Sequence, residues 1–190
     1  MLLRYRIAAH RLLGLRHLLL ILAAIVVAAL PASGDNTMKA PDFTLSNLSG
    51  KNVTLSEVLR EGPVLLDFWA TWCKPCIKAF PGLQELHEKY GPRGLRVVTV
   101  SVDSPKSQSR VGPFINSKKY TFEVLLDTEG RVAKRYHIMA IPRTLLISPS
   151  GEIVYATMGN RPTGHKELEK AILDILPSEA DGGAGPAKKG

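Results

Sequence analysis

An α/β fold, with a central mixed β-sheet flanked by helices, is what this 190-residue sequence predicts. Three observations carry the prediction. Pro63 to Trp69 is an apolar run interrupted by a single acid, which suits a central strand buried on both faces. Leu95 to Val102 reads as a second buried strand, and a stretch of helical spacing separates the two. The chain then offers a strand pair joined by Ser150-Gly151 and an amphipathic stretch, which completes helices layered on one sheet. Composition agrees: 45% hydrophobic, 22% charged, Gly 16 and Pro 13 exclude collagen, coiled coil and a wholly disordered chain. A domain of about 140 residues buries roughly two-thirds of its unfolded surface, so its core needs neither metal nor disulfide.

Residues 1–34 read as a signal peptide or signal anchor. Met1 to His17 is basic and free of acids, Leu18 to Leu30 is an unbroken apolar run, and Pro31-Ala32-Ser33-Gly34 supplies a breaker with small residues. Cleavage before Asp35 and retention as a membrane anchor are both open, because Leu12 to Leu15 extends the run if Arg16 snorkels. Either way the domain is expected outside the cytoplasm, periplasmic or held on the outer face of the membrane. The leader also accounts for half of the formal charge of +8: it carries Arg4, Arg6, Arg11 and Arg16, leaving 21 basic and 17 acidic residues beyond it. Those are spread without an aromatic-interleaved basic stripe, so no nucleic-acid partner is expected.

Residues 35–176 form the predicted domain. Asp42 to Ser46 alternates as a strand, Asn47 to Lys51 turns, and Asn52 to Thr54 returns as its hairpin partner. Ser56 to Leu59 gives one helical turn before the Pro63–Trp69 strand. Cys73 to Tyr90 places Phe80, Leu83, Leu86 and Tyr90 at helical spacing and stops at Gly91-Pro92. After the Leu95–Val102 strand come a polar loop, Asp103 to Gln108, and a weaker helix, Val111 to Lys119. A third strand (Phe122 to Leu126) and a short helix (Glu129 to Tyr136) follow. Thr144 to Ser148 and Glu152 to Thr157 then pair through the Ser150-Gly151 turn. Lys166 to Leu176 puts Leu168, Ile172, Ile175 and Leu176 on one helical face. Residues 177–190 lack any large apolar side chain and read as a flexible tail.

Cys73 and Cys76, the two cysteines of the chain, are spaced Cys-x-x-Cys. A disulfide closing so small a loop removes little entropy from the unfolded chain, so a purely structural role gains little. Where a strand ends and a helix begins, the same pair suits thiol-disulfide exchange. Cys73 at the helix N-terminus has its thiolate stabilised by orphan amides and the helix dipole, with Lys74 adding positive charge, and is the expected nucleophile. Cys76 is then the resolving thiol, and Pro75 is tolerated because first-turn amides lack helical partners anyway. Asp67 is an acid within the apolar strand, six residues before Cys73. Burial should raise its pKa until it can take the proton from Cys76. Structural zinc lacks its second pair of ligands, since neither His87 nor His137 has one nearby. No metal and no bound organic cofactor are expected beyond the Cys73/Cys76 couple itself.

The segment Asp67-Phe68-Trp69-Ala70-Thr71-Trp72-Cys73-Lys74-Pro75-Cys76 resembles the active-site segment of thioredoxin-fold oxidoreductases. Pro81 resembles that family's helix-kinking proline, and Ala140-Ile141-Pro142 its cis-proline loop. Ala40 to Leu45 and the stretch Phe122 to Pro142 resemble the TlpA/ResA-like branch, so the implied fold is thioredoxin-like with an N-terminal β-hairpin and a central insertion. The resemblance, over roughly residues 40 to 176, implies catalytic Cys73, Cys76 and Asp67. It implies support from Trp72, Lys74, Pro75, Ile141 and Pro142, with Ile141 offering backbone groups to a client strand and Pro142 cis. Two positions depart from it: Ala79 stands where many ResA-like proteins have a glutamate, and Arg143 where a small hydroxyl residue is common.

The resemblance implies an extracytoplasmic reductase of client-protein disulfides, fed electrons by a membrane thiol carrier. Candidate clients are apocytochrome c in its maturation and the cysteines of copper sites. A second reading is a copper-handling binding protein for oxidase assembly, using Cys73, Cys76 and His137, because soft sulfur ligands suit Cu(I). A third, a peroxiredoxin-type peroxidase, follows from Ala40 to Leu45. It wants a Thr three residues before the reactive Cys, where Ala70 precedes Cys73 and Cys73 precedes Cys76.

Overall fold

The computed structural model describes residues 38–159 and 164–176. The leader, residues 1–34, and the tail, residues 177–190, lie outside the described residues. In chain order the elements are β1 (Thr44–Asn47), β2 (Asn52–Thr54), α1 (Leu55–Leu59), β3 (Val64–Trp69), α2 (Lys74–Tyr90) and β4 (Arg96–Ser101). They continue with α3 (Val111–Lys118), β5 (Glu123–Leu126), α4 (Arg131–Arg135), β6 (Arg143–Ile147), β7 (Ile153–Met158) and α5 (Gly164–Ile175).

The strands make one mixed sheet in the order β2-β1-β5-β4-β3-β6-β7. β3, β4 and β5 run parallel, while β6 and β7 and the β1–β2 hairpin add antiparallel edges. β5, in the stretch expected as the insertion, pairs with β4 on one side and with β1 on the other. It therefore carries the N-terminal hairpin into the sheet.

Every residue of β3 is buried, as its apolar run requires. Period-two alternation sends Leu65 and Trp69 to one face and Val64, Leu66 and Phe68 to the other. The first face is covered by α2, α3 and α5 through Phe80, Leu83, Val111, Ile115, Leu168 and Ile172. Aromatic rings fill its centre: Phe80 lies 4.6 Å from Trp69 and 5.3 Å from Phe122 between ring centroids. The second face is closed by α1 and α4 through Leu55, Leu59 and Val132.

Several boundaries differ from those the sequence suggests, each through a local hydrogen bond. The first strand starts at Thr44 and not at Asp42, because the Asp42 carboxylate accepts from the amides of Phe43 and Ser56 and so ties the chain to the start of α1. α4 starts at Arg131 and not at Glu129, behind Gly130 in the left-handed region at φ 66. Asp127 accepts from the Ala133 amide and holds that turn. Lys39 bridges to Glu152 beside β7, a contact without a local sequence signal. Gly62 and Gly94 bring two loop backbones together: a Cβ on Gly62, at φ 152, would lie 2.1 Å from the Gly94 carbonyl oxygen.

Candidate active site

The site grows from the end of β3. Ala70 accepts from the Cys73 amide at 3.0 Å, which turns the chain, and Cys73 becomes the N-cap of α2 with φ −84 and ψ 92. Its Sγ accepts from the Cys76 amide at 3.3 Å, the position a capping side chain takes at a helix start. Cys73 and Cys76 form a disulfide with Cα atoms 5.3 Å apart. Cys76 is fully buried, and Cys73 keeps only a sliver of exposure. Lys74 and Pro75 occupy the exposed first turn, and Pro81 lies inside the helix.

Asp67 lies between Leu65 and Trp69 on β3, so its side chain faces the side of the sheet that α2 covers. It is buried, and burial raises its pKa from 3.8 to about 7, while a hydrogen bond from the Thr144 hydroxyl acts in the opposite direction. Ile141-Pro142 is a cis peptide, placed by the β3–β6 register at the same end of the sheet as the cysteines. Pro142 is buried, Ile141 is half-buried, and Trp72 is 62% exposed. Trp69 packs against Phe80 and Phe114. Cys73, Cys76, Asp67, Trp72, Lys74, Pro75, Ile141 and Pro142 thus all gather at the C-terminal end of β3.

Asp103, which sequence reasoning left in a polar loop, belongs to this site. It is buried, and its two carboxylate oxygens accept from the Thr71 amide and the Thr71 hydroxyl, both at 2.7 Å, and from Ser101 Oγ at 3.0 Å. It clamps the turn that presents Cys73. The available signal was an acid directly after the buried β4 strand, but its partner stands 32 residues away. Among the described residues no group of three or more His, Cys, Asp and Glu side chains is placed to hold a metal ion.

A thioredoxin-like sheet with a Cys-x-x-Cys pair capping a helix defines a thioredoxin-fold thiol-disulfide oxidoreductase. Residues 37–156 match the AhpC/TSA family. The thiol-disulfide oxidoreductase ResA of Bacillus subtilis is 37% identical over 147 residues, covering 75% of this chain and 77% of its own. The crystal structure of StoA from Bacillus subtilis is 29% identical with a TM-score of 0.59, covering 70% of this chain and 96% of its own. A Chlorobium tepidum protein, crystallised as a candidate thiol:disulfide interchange protein DsbE, is 33% identical with a TM-score of 0.68, covering 75% and 99%. The chain belongs to the AhpC/TSA family, among its ResA-like thiol-disulfide oxidoreductases.

Proposed function

We propose that the protein is an extracytoplasmic reductase of disulfides in client proteins. The observation that carries the reading is the Cys73 Sγ at the α2 N-cap, accepting from the Cys76 amide. A thiolate at that position gains the same donor and the positive end of the helix dipole. In the dithiol form the Cys73 thiolate attacks a client disulfide, forming a mixed disulfide and expelling one client thiolate. Asp67 takes the Cys76 proton, and the Cys76 thiolate displaces the second client sulfur. Two electrons pass to the client, which leaves as a dithiol, and the Cys73–Cys76 disulfide is the product. A carboxyl with a pKa of about 7 is suited to accept that proton near neutrality.

Export is supported by the basic, acid-free start and apolar run of residues 1–30. Regeneration then falls to a membrane thiol carrier, and cytochrome c heme-site or copper-site cysteines are the clients the reading favours. The copper-handling alternative would use Cys73, Cys76 and His137 as ligands, and no metal-holding cluster among the described residues speaks for it.

The deciding experiment equilibrates the protein in defined thiol-disulfide buffers and reads the Cys73/Cys76 state by mass-resolved alkylation. A midpoint near the thioredoxin end, about −270 mV, supports a reductase, and one near about −120 mV makes the protein an oxidant. A positive charge at Lys74 beside Cys73 would favour the thiolate in the dithiol form and so work toward the oxidising end. The absence of any reversible couple would sink the exchange mechanism.

A further inference from the structure

Trp72, next to Cys73 in the chain, forms a wall of a groove of about 380 Å³ whose other lining includes Val102, Ala133, Ile138, Met139 and Ile141. Every lining side chain is apolar, and Met139 is 92% exposed. Cations outnumber acids among its chain neighbours, where Asp103 and Glu129 are the acids within four residues of a lining residue. Lys74, Lys106, Lys134 and Arg143 each lie within four residues of a lining residue: Lys74 opens α2, Lys106 sits on the loop after β4, Lys134 is in α4 and Arg143 starts β6. Lys78 follows one turn after Lys74 on the same face of α2.

None of these five cations has an ion-pair partner among the described residues. The acids at the same end are engaged. Asp103 and Asp127 are buried and hydrogen-bonded, Glu129 pairs with Arg131, and Asp42 accepts from two backbone amides.

We infer that the site prefers client segments in which acidic residues flank the reactive cysteine and an apolar side chain seats in the groove. The inference rests on the exchange reaction proposed above and names its substrate class. Unpaired cations beside a low-dielectric surface raise the local concentration of an anionic partner and its encounter rate. The groove sets the register of the bound segment, and the collar of cations sets its sign.

The test mixes the reduced full-length chain with three peptides that are identical except for Glu, Gln or Lys beside one cysteine held in a disulfide with thionitrobenzoate. Cys73 attacks the peptide sulfur and expels coloured thionitrobenzoate. Cys76 then displaces the peptide thiol and closes the Cys73–Cys76 disulfide. Each rate is divided by that of 2-mercaptoethanol with the same peptide, which cancels intrinsic peptide reactivity. At low salt the Glu peptide should react at least ~10-fold faster than the Lys peptide, a gap that closes in ~0.5 M salt. Lys106→Glu with Lys134→Glu, both exposed positions, should shrink or reverse that order. Equal rates for the three peptides, or an order unchanged in the double variant, overturn the preference and leave exchange standing. Failure of all three peptides to release thionitrobenzoate overturns the exchange reading, and the preference with it.

Discussion

Thr144 stands directly opposite Asp67 in the β3–β6 register and donates a 2.6 Å hydrogen bond to one oxygen of its carboxyl, while the other oxygen is buried without a partner. The pair is thus half-satisfied. One hydrogen bond does not offset the loss of water around a charge, so the neutral carboxyl persists to a pH near that of the exchange reaction.

That balance makes stability depend on pH in a defined direction. The unfolded chain ionises Asp67 near 3.8, whereas the folded chain holds the proton until about 7. Stability from this group is therefore full below the unfolded pKa and falls as pH rises through that window, by on the order of 4 kcal/mol. Asp67→Asn should lack this slope and be more stable than the parent at pH 8. Urea unfolding of both oxidised proteins at pH 4.5 and pH 8 checks it, and parallel slopes would contradict it.

Thr144→Val removes the hydrogen bond that opposes burial while keeping the shape of the side chain. The Asp67 pKa should move further up, and the ascending acidic limb of the exchange pH–rate profile should move with it. A profile superimposable on the parent's would detach Asp67 from the resolving step. Asp67→Asn itself should slow that step by about 10²- to 10⁴-fold.

Asp103→Ala strips the Thr71 amide, the Thr71 hydroxyl and the Ser101 hydroxyl of their buried acceptor. A loss of about 2–4 kcal/mol is expected, the size of unsatisfied buried donors plus a lost charged acceptor. Chemical denaturation of the oxidised form reads it directly.

Gly62→Ala should be among the most damaging of small substitutions. Its methyl would meet the Gly94 carbonyl oxygen at 2.1 Å, a backbone atom with no side-chain freedom to swing aside. Destabilisation of about 3 kcal/mol or more is expected, with no effect on the potential of the distant cysteines in the protein that still folds. A thermal midpoint equal to the parent's would show that the two loops part readily.

Cys76→Ser should accumulate a covalent client adduct on Cys73, resolvable without reductant and lost on its addition, because the displacing sulfur is gone. Cys73→Ser should form none. Adducts on Cys76 in the second variant would reverse the assignment of nucleophile and resolving thiol.

Local chemistry was legible in the sequence. Apolar runs mark β3 and β4, and the strand-to-helix position of Cys73 marks the cap of α2. An acid in an apolar strand announced the burial of Asp67. Groups whose role depends on distant partners were not legible. Asp103 looks like any loop acid until β4 brings it to Thr71, and Asp42 looks like a strand residue until its carboxylate meets the amide of Ser56. The cis state of Pro142 came from resemblance, since spacing favours the trans default. The placement of β5 between β4 and β1 is likewise a property of sheet closure and not of its four residues.

In the exchange reaction proposed above, the complete burial of Cys76 beside a Cys73 that keeps a sliver of exposure would impose single-file traffic. Every partner, whether it brings electrons or removes them, would then arrive at Cys73 and depart from it. Donor and client would compete for one berth, and an abundant partner of either kind would throttle the other.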